Sequence, residues 1–431
     1  MDIRKLLVMT GKPSLASMSL ENAMLSLFNV SYWPMTEASG NAIDHKSDND
    51  VTWAGGVTRQ ATTLPNGDKI PAFDGTGLGT MYTTALRDAM PYNAGSLVAV
   101  LQVPTTALWE GLTNQYLLNF ATDGAEMIYI AKPSVNSLRG YRNSNTAFTI
   151  CGMVNPVMIG MTWNIATGLM TLFSNGRSVL WPVGGQVAFT QPLSGTYTRI
   201  GADTNFGTNK WIGSIGHVGL GSKVLVQSEM TTLFNKIFPS HRKFFIIGDS
   251  KSTGANFWPG YFANALQTET GDMWIDAPHR YSFGGYDIGM MQLYVTANLS
   301  AETDTPEFIL INMGTNDARP VTITGEVAFK ASYNSVIASC QAKWPGVPIY
   351  CQRIYRSDSE TTIANSTTIN NYIDDIIASY VTGVYAGPDD EVWAENGDAG
   401  ATYLGADKVH YSSAANSVLA GLWADIIIPT L

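Results

Sequence analysis

The sequence predicts two domains, an all-β sandwich followed by an α/β domain with a parallel sheet. The chain has 431 residues, which is more than the roughly 100–200 residues of a single domain. Up to about residue 240, short apolar segments are separated by clusters of Gly, Asn, Asp and Pro, which is typical of a sandwich. Beyond that point strand-like and helix-like segments alternate, which indicates a parallel sheet between helices.

The composition is that of a globular protein with a weakly charged surface. Hydrophobic residues make up 45% and aromatic residues 11% of the chain, enough to build a core. Charged residues are only 14%, so Ser, Thr, Asn and Gly must cover much of the surface. Secreted and virion proteins often have such a surface.

The charge distribution argues against a nucleic-acid partner. The net charge is −10, and the excess of acidic residues lies in the C-terminal part. No basic tract is present that could neutralise a row of phosphates. A polyanionic substrate is disfavoured for the same reason.

The cysteines and the apolar segments of the sequence bear on the location of the protein. The three cysteines, Cys151, Cys340 and Cys351, have no C-x-x-C spacing and are predicted to be buried thiols. Only four apolar residues follow Lys5, too few for a signal peptide, and no segment has the 18 apolar residues of a membrane span. We expect a virion or extracellular location, and a cytoplasmic one stays open.

The first domain is predicted to consist of short antiparallel strands. They cover residues 96–103, 116–120, 127–130, 157–163, 170–174, 196–200 and 214–220. A hairpin follows Trp163, and its second strand ends at an Asn175-Gly176 turn.

Framework residues of this domain resemble a known family. They are the segments YWPMTEASGN (32–41), FDGTG (73–77) and WIGSIG (211–216), together with Asp44, Ile200-Gly201 and a short helix over 227–236. This pattern resembles the laminin-G-like, concanavalin-A-like jelly rolls. The resemblance implies a domain over 29–239 that either binds carbohydrate or serves as a scaffold, and residues 1–28 are assigned to an N-terminal attachment segment. No sugar-binding residue is transferred by it.

The second domain is predicted from alternating strands and helices. The strands cover 243–248, 308–314 and 347–355, and the helices cover 255–269, 326–343, 369–380 and 418–427. In parallel sheets, ligands bind beyond the carboxyl ends of the strands. Candidate site residues therefore follow the strands: Ser250 after the first and Asn316 after the next predicted one, with Asp407 and His410 near the C-terminus.

The order of these motifs resembles the SGNH, or GDSL-type, hydrolases. The motifs are GDSKSTG (248–254), Gly284-Gly285, GTND (314–317) and DKVH (407–410). The resemblance implies a flavodoxin-like three-layer α/β/α hydrolase domain over 240–431. It also implies a nucleophile, Ser250, a base, His410, and a carboxylate that orients it, Asp407.

The resemblance further implies an oxyanion hole and no cofactor or metal. The hole would consist of the backbone N–H groups of Ser250 and Gly285 and the side chain of Asn316; Gly285 is preferred over Gly284. Asp317 is predicted to accept bonds from backbone amides. The other histidines, His45, His217, His241 and His279, are predicted to be structural or surface residues.

One residue departs from the family pattern. Position 251 is Lys, where relatives usually have an aliphatic residue. A cation here either faces solvent, which we expect, or contacts substrate.

These observations predict a serine esterase that removes small acyl groups, most simply O-acetyl, from a polysaccharide or glycan through an acyl-enzyme. A phage tail protein, acting as a homo-oligomer or within a virion, would fit the composition. The alternatives are a lipid or thioester hydrolase, and a receptor-binding or structural virion protein whose esterase site has decayed.

Overall fold

A computed structural model describes most of the chain. It covers residues 14–105, 108, 111, 114–122, 126–133, 137–143, 145–150, 156–178, 184–185, 188–195, 197–202, 209–252, 258–277, 281–319, 321, 323–392, 403–405 and 407–431. Cys151, His279 and residues 253–254 of the first motif lie outside these ranges. The chain divides into two compact units, Met1–Ser240 and His241–Leu431; the sequence placed this boundary between residues 239 and 240.

The first unit is an antiparallel β-sandwich. Its strands are β1 (Ser31–Trp33), β2 (Thr52–Ala54), β3 (Val57–Thr63), β4 (Lys69–Asp74), β5 (Leu78–Thr80), β6 (Ala94–Gln102), β7 (Gln115–Ala121), β8 (Met127–Lys132), β9 (Ser137–Arg142), β10 (Asn145–Ile150), β11 (Val157–Asn164), β12 (Leu169–Ser174), β13 (Arg177–Ser178), β14 (Arg199–Ile200) and β15 (Ile212–Gly221). Over the described residues one sheet has the order β13-β12-β11-β6-β15-β4-β3, with β1 on β15, and the other has the order β10-β9-β8-β7-β14-β5-β2. The predicted sandwich is thereby confirmed.

The hairpins of this unit form where the turn residues indicated. β11 pairs with β12, and β12 with β13. Between β12 and β13, Asn175 and Gly176 have φ values of 49° and 77°. Positive φ at both central residues is what a tight hairpin turn requires, and Asn-Gly adopts it readily.

Short helices accompany the sandwich. They are a 3₁₀ turn (Leu15–Ser17), α1 (Leu20–Leu27), α2 (Thr84–Ala89) and α3 (Gln227–Ile237). Ala23 and Met24 of α1 are fully buried, and α1 packs on α3. Residues 20–27, within the predicted attachment segment, therefore form part of the first unit.

The second unit has a parallel five-stranded sheet between two helical layers. Its strands are β16 (His241–Gly248), β17 (Met273–Ala277), β18 (Phe308–Asn312), β19 (Ile349–Arg353) and β20 (Val384–Asp389), in the order β17-β16-β18-β19-β20. Its helices are α4 (Trp258–Thr270), α5 (Ile288–Asn298), α6 (Glu326–Lys343), α7 (Glu360–Ser379) and α8 (Ser413–Ile427). This strand order is that of flavodoxin-like folds, as predicted.

The two helical layers cover opposite faces of this sheet. On one face Phe245 and Ile309 pack in a cluster with residues of α5, α6 and α7. On the other, Phe244 and Leu310 pack with residues of α4 and α8. Alternating residues of β16 and β18 thus enter different cores, which explains why residues 244–247 and 308–311 are all apolar.

Two smaller sequence predictions can be compared with the structure. Cys340 and Cys351 are free and buried, as expected, and burial raises the pKa of the Cys351 thiol to about 12. Among the described helices, none is both long and apolar enough to span a membrane.

Candidate active site

The first site segment is the turn after β16, which carries Ser250. β16 ends at Gly248, where a Cβ would lie 2.5 Å from Ser252 Oγ, so the turn requires glycine. Ser250 begins a 3₁₀ turn and is half-buried. Asp249 beside it is fully buried and accepts hydrogen bonds from the backbone N–H of Lys251 at 2.9 Å and of Thr315 at 3.3 Å. Asp249 therefore ties this turn to the 314–317 loop.

The second segment contains Gly284 and Gly285. A Cβ at Gly284 would lie 3.8 Å from Ser250 Cβ, so this glycine faces the serine. Gly285 has a φ of 81°, a conformation that favours glycine. The choice of Gly285 over Gly284 as an oxyanion donor stays a prediction.

The third segment is the loop after β18, which carries Asn316 and Asp317. Asn316 Nδ2 donates to the Tyr286 carbonyl at 2.9 Å, which links this loop to the Gly284-Gly285 turn. Asp317 Oδ2 accepts from the Ile288 N–H at 3.0 Å, the backbone-amide contact that the sequence indicated. Burial raises the pKa of the Asp317 carboxyl to about 7.

The fourth segment is a small hairpin over 403–412 that carries Asp407 and His410. Leu404 and Tyr411 form a β-bridge, and the Gly405 N–H donates to the His410 carbonyl at 2.7 Å. Lys408 lies in the left-handed region with a φ of 58°, which lets the chain turn between the two site residues.

Asp407 and His410 are joined directly. Asp407 Oδ2 lies 2.6 Å from His410 Nδ1, and Asp407 Oδ1 accepts the backbone N–H groups of Val409 and His410, each at 3.0 Å. Partial burial alone would raise the pKa of Asp407, but the bonds from His410 and Val409 lower it to about 2. With Nδ1 held by the carboxylate, Nε2 is the ring nitrogen left for substrate chemistry. The side chains of His410 and Asp407 are 49% and 53% exposed.

The predicted location of the Lys251 side chain was wrong. We expected its side chain in solvent or on substrate, but the residue is only 2% exposed. Its ammonium lies 3.2 Å from Asp390 Oδ2, donates to the Tyr355 carbonyl and lies 4.6 Å from the centre of the Tyr411 ring. Sequence reasoning missed Asp390 because β20, which precedes it, was not predicted.

Comparisons with known proteins agree with the second unit's motifs. Residues 246–418 match the GDSL-like Lipase/Acylhydrolase family. No curated protein matches the chain.

Several solved structures are similar to parts of this chain. The esterase EstA from Pseudoalteromonas sp. is 17% identical, with 44% of this chain and 98% of that chain covered and a TM-score of 0.36. Est24, a carbohydrate acetylesterase from Sinorhizobium meliloti, is 14% identical, with 44% and 100% covered and a TM-score of 0.35. The receptor-binding domain of botulinum neurotoxin mosaic serotype C/D is 14% identical; 48% of this chain matches half of that one (50%), with a TM-score of 0.36.

Proposed function

Because residues 246–418 form a GDSL-like hydrolase domain, we propose that the protein is a serine esterase that removes O-acetyl groups from a carbohydrate through an acyl-enzyme. The observation that carries this proposal is the 2.6 Å contact between Asp407 and His410. A carboxylate on Nδ1 fixes the imidazole tautomer that leaves Nε2 free to accept a proton. A decayed site would have no reason to keep this pair.

In the first half of the reaction the serine is acylated. Ser250 Oγ attacks the acyl carbon while His410 Nε2 takes the hydroxyl proton, and the carbonyl π electrons move onto oxygen. The tetrahedral intermediate then collapses, the bond to the sugar oxygen breaks, and His410 returns its proton to that oxygen. The products of this half are a free sugar hydroxyl and an acetyl ester on Ser250.

In the second half water removes the acetyl group. His410 takes a proton from water, the resulting hydroxyl attacks the acetyl ester, and Ser250 leaves with the proton from His410 as acetate is released. In both halves the oxyanion would be stabilised by the N–H groups of Ser250 and Gly285 and by Asn316 Nδ2. The bond from Asn316 Nδ2 to the Tyr286 carbonyl supports this role, because it fixes the amide and uses only one of its two hydrogens.

The exposure of the pair favours a large substrate. Roughly half of the His410 side chain is accessible (49%), so the base is not confined to a closed cavity. An O-acetyl group on a sugar within a polymer could approach it from solvent, whereas a fully enclosed site would admit only small esters.

A group of aromatic side chains on the first unit supports carbohydrate binding there. Tyr129 stacks on Tyr141 with ring centres 4.6 Å apart, and the ring centres of Tyr116 and Tyr129 lie 4.9 Å apart. The Arg139 guanidinium lies 5.1 Å from the Tyr129 ring centre. We call these four residues the tyrosine surface. Tyr116, Tyr141 and Arg139 are partly exposed and together cover Tyr129.

The tyrosine surface lies on the side of the sheet that faces away from the sandwich core. A Cβ at Gly140 would lie 2.8 Å from Leu172 of the other sheet, so Gly140 faces inward. Arg139 and Tyr141 on either side of it therefore face outward, because alternate strand residues point to opposite faces. Partly exposed tyrosines offer apolar ring faces with polar edges, which suits the C–H faces and hydroxyl groups of a sugar.

Exposed apolar residues on α5 favour one alternative, a lipid or thioester hydrolase. Met290 and Leu293 are 47% and 68% exposed on the helix that follows the Gly284-Gly285 turn. They could contact a longer acyl chain. Comparing turnover of p-nitrophenyl acetate and octanoate separates the two proposals, since a deacetylase favours the acetate.

The proposed function is tested with Ser250→Ala in the full chain. We expect the loss of p-nitrophenyl acetate turnover to be roughly 10⁴- to 10⁶-fold, as for other triad residues. Rapid acid quenching of the wild type should also show one acetyl group on the peptide that contains Ser250. Retention of more than a tenth of the activity by Ser250→Ala would exclude this serine as the nucleophile.

A further inference from the structure

The residue after Ser250 is a buried cation that the proposed chemistry does not use. The side chains of Lys251 and Asp390 are both 0% exposed, and Nζ lies 3.2 Å from Oδ2. Removing two charges from water costs several kcal/mol per ion unless the pair is well placed and fully hydrogen-bonded. Replacing such a pair by apolar side chains of similar volume is often neutral or stabilising for folding, so a role other than stability is worth testing.

The pair is surrounded by further polar partners. Gln352 Nε2 donates to Asp390 Oδ1 at 2.6 Å, and the Tyr411 hydroxyl donates to Asp390 Oδ2. Gln352 Nε2 also contacts the Tyr411 hydroxyl at 2.9 Å. We call Lys251, Asp390, Gln352 and Tyr411 the Lys251 cluster.

The members of the Lys251 cluster come from four separate segments of the second unit. Lys251 directly follows Ser250, and Tyr411 directly follows His410. Gln352 belongs to β19, and Asp390 follows β20. The cluster therefore connects the residue next to the proposed nucleophile with the residue next to the proposed base.

Two contacts within the cluster fix the position of the Tyr411 side chain. The Lys251 ammonium lies 4.6 Å from the centre of the Tyr411 ring, a cation–π distance, so the ring is held against the serine turn. The Tyr411 hydroxyl is held at the same time by Asp390. Fixing both the face and the hydroxyl of Tyr411 limits how far its half of the hairpin can move.

The hairpin needs such a contact because its functional end is exposed. Asp407 and His410 are about half exposed, at 53% and 49%, and its strands are joined by one bridge, Leu404 to Tyr411, among the described residues. Within the described part of the chain the hairpin also contacts the segment after β19, through the bond from the Ser357 N–H to the Lys408 carbonyl at 3.0 Å and through the packing of Leu404 with Tyr355.

We propose that Lys251 is a positioning residue that, through Asp390 and Tyr411, holds the His410 hairpin at a fixed position relative to Ser250. This inference rests on the proposed function and extends it, because it gives a role to a residue outside the reacting groups. A displacement of about 1 Å between reacting groups can reduce the rate about 10²-fold. The Lys251 cluster would limit that displacement through its buried Lys251–Asp390 pair.

The first test compares Lys251→Met with wild type on p-nitrophenyl acetate. Methionine is unbranched and apolar, so it fills much of the same volume without a charge. We expect kcat to fall about 10- to 100-fold with KM unchanged, at a temperature well below the melting temperature of the variant. A kcat within about twofold of wild type would overturn the proposal, even if the melting temperature falls.

A matched control is available on the same strand. Lys243 of β16 lies 3.0 Å from Asp304, and both side chains are mostly buried, at 15% and 14% exposure. It lies near the opposite end of β16 from Ser250. Lys243→Met should affect stability and leave kcat unchanged; an equal loss of kcat in both variants would make the effect of Lys251 a general one of stability.

Three further variants keep the test decisive if Lys251→Met folds poorly. Tyr411→Phe removes only the hydroxyl, Asp390→Asn removes the carboxylate charge, and Lys251→Met/Asp390→Asn removes both charges together. If the Lys251 cluster acts as one unit, the double variant should be no slower than the slower of its two single variants. If the loss of kcat in the double variant equals the sum of the two single losses in free energy, the proposal is overturned. Full activity of both single variants, Tyr411→Phe and Lys251→Met, would also overturn it.

Chemical rescue then tests the charge itself. In Lys251→Ala, ethylammonium should partly restore kcat in a saturable manner, whereas ethanol of similar size should not. Equal rescue by both would show that only volume matters and would overturn the role of the cation. Ser250→Ala distinguishes failure of the proposed function from failure of the positioning role. If Ser250→Ala is active, the proposed function fails. If it is inactive while Lys251→Met is fully active, only the positioning role fails.

Discussion

Asp407 Oδ2 lies 2.6 Å from His410 Nδ1, and the same carboxylate accepts the backbone N–H of His410. The side chain and the main chain of one histidine are thus oriented by one acid. This double contact fits within four residues because Lys408 adopts the left-handed conformation. The D-x-x-H spacing is therefore a compact way to fix an imidazole without help from another strand.

Asp407→Asn should lower kcat on p-nitrophenyl acetate by roughly 10²- to 10⁴-fold, because the amide no longer selects the tautomer with a free Nε2. The measurement is steady-state kinetics at pH 7. Glu21→Gln is a matched control, since Glu21 Oε1 contacts His45 Nδ1 at 2.7 Å on the first unit. It should leave kcat unchanged, and a similar loss there would point to an unspecific effect.

Asn316→Ala should lower kcat about 10²- to 10³-fold with little change in KM, because an oxyanion donor acts mainly on the transition state. Asn365→Ala is the control: Asn365 Nδ2 also bonds the carbonyl of a neighbouring loop, that of Arg319, at 2.7 Å. A rise in KM at constant kcat would instead identify Asn316 as a substrate-binding residue.

Asp317→Asn should change how stability depends on pH. Burial raises the pKa of Asp317 to about 7, so between its unfolded value near ~4 and about 7 the folded state holds the proton more tightly. The wild type therefore loses stability as pH rises through this range, by at most about 1.4 kcal/mol per pH unit. Thermal unfolding of both proteins from pH 4 to 8 should show a flatter dependence for Asp317→Asn. Parallel curves would contradict it.

Tyr141→Ala should reduce activity on an acetylated polysaccharide and leave p-nitrophenyl acetate turnover unchanged, since a tethered binding surface raises the local concentration of polymer only. Tyr385→Ala, which removes a 45% exposed tyrosine from the second unit, serves as the control. Equal activity of Tyr141→Ala and wild type on the polymer would leave the first unit as a scaffold.

The sequence predicted elements best where one pattern was strong. The helix predicted over 326–343 has those bounds as α6 (Glu326–Lys343), and the apolar run 243–248 forms most of β16. The α5 helix (Ile288–Asn298) was missed because its apolar residues lie on all sides, which gives no helical period. β20 (Val384–Asp389) was missed because Gly387 and Pro388 interrupt it.

The site was predictable to the extent that its residues follow strands. Ser250 and Asn316 lie on loops after β16 and β18, neighbours in the sheet, and parallel topology brings such loops to one edge. The environment of Lys251 was not predictable, because its partner Asp390 is 139 residues away in sequence. Only the packing of β20 next to β19 brings the two together.

Alkylation of the buried thiols in the second unit can report the unfolding of that unit. Cys340 and Cys351 are fully inaccessible, and burial raises the pKa of both, so neither presents a thiolate to reagents in the folded state. Alkylation of these two cysteines then requires the α/β unit to open. In a Cys151→Ser background, the labelling rate would report the opening equilibrium of the second unit independently of any esterase assay.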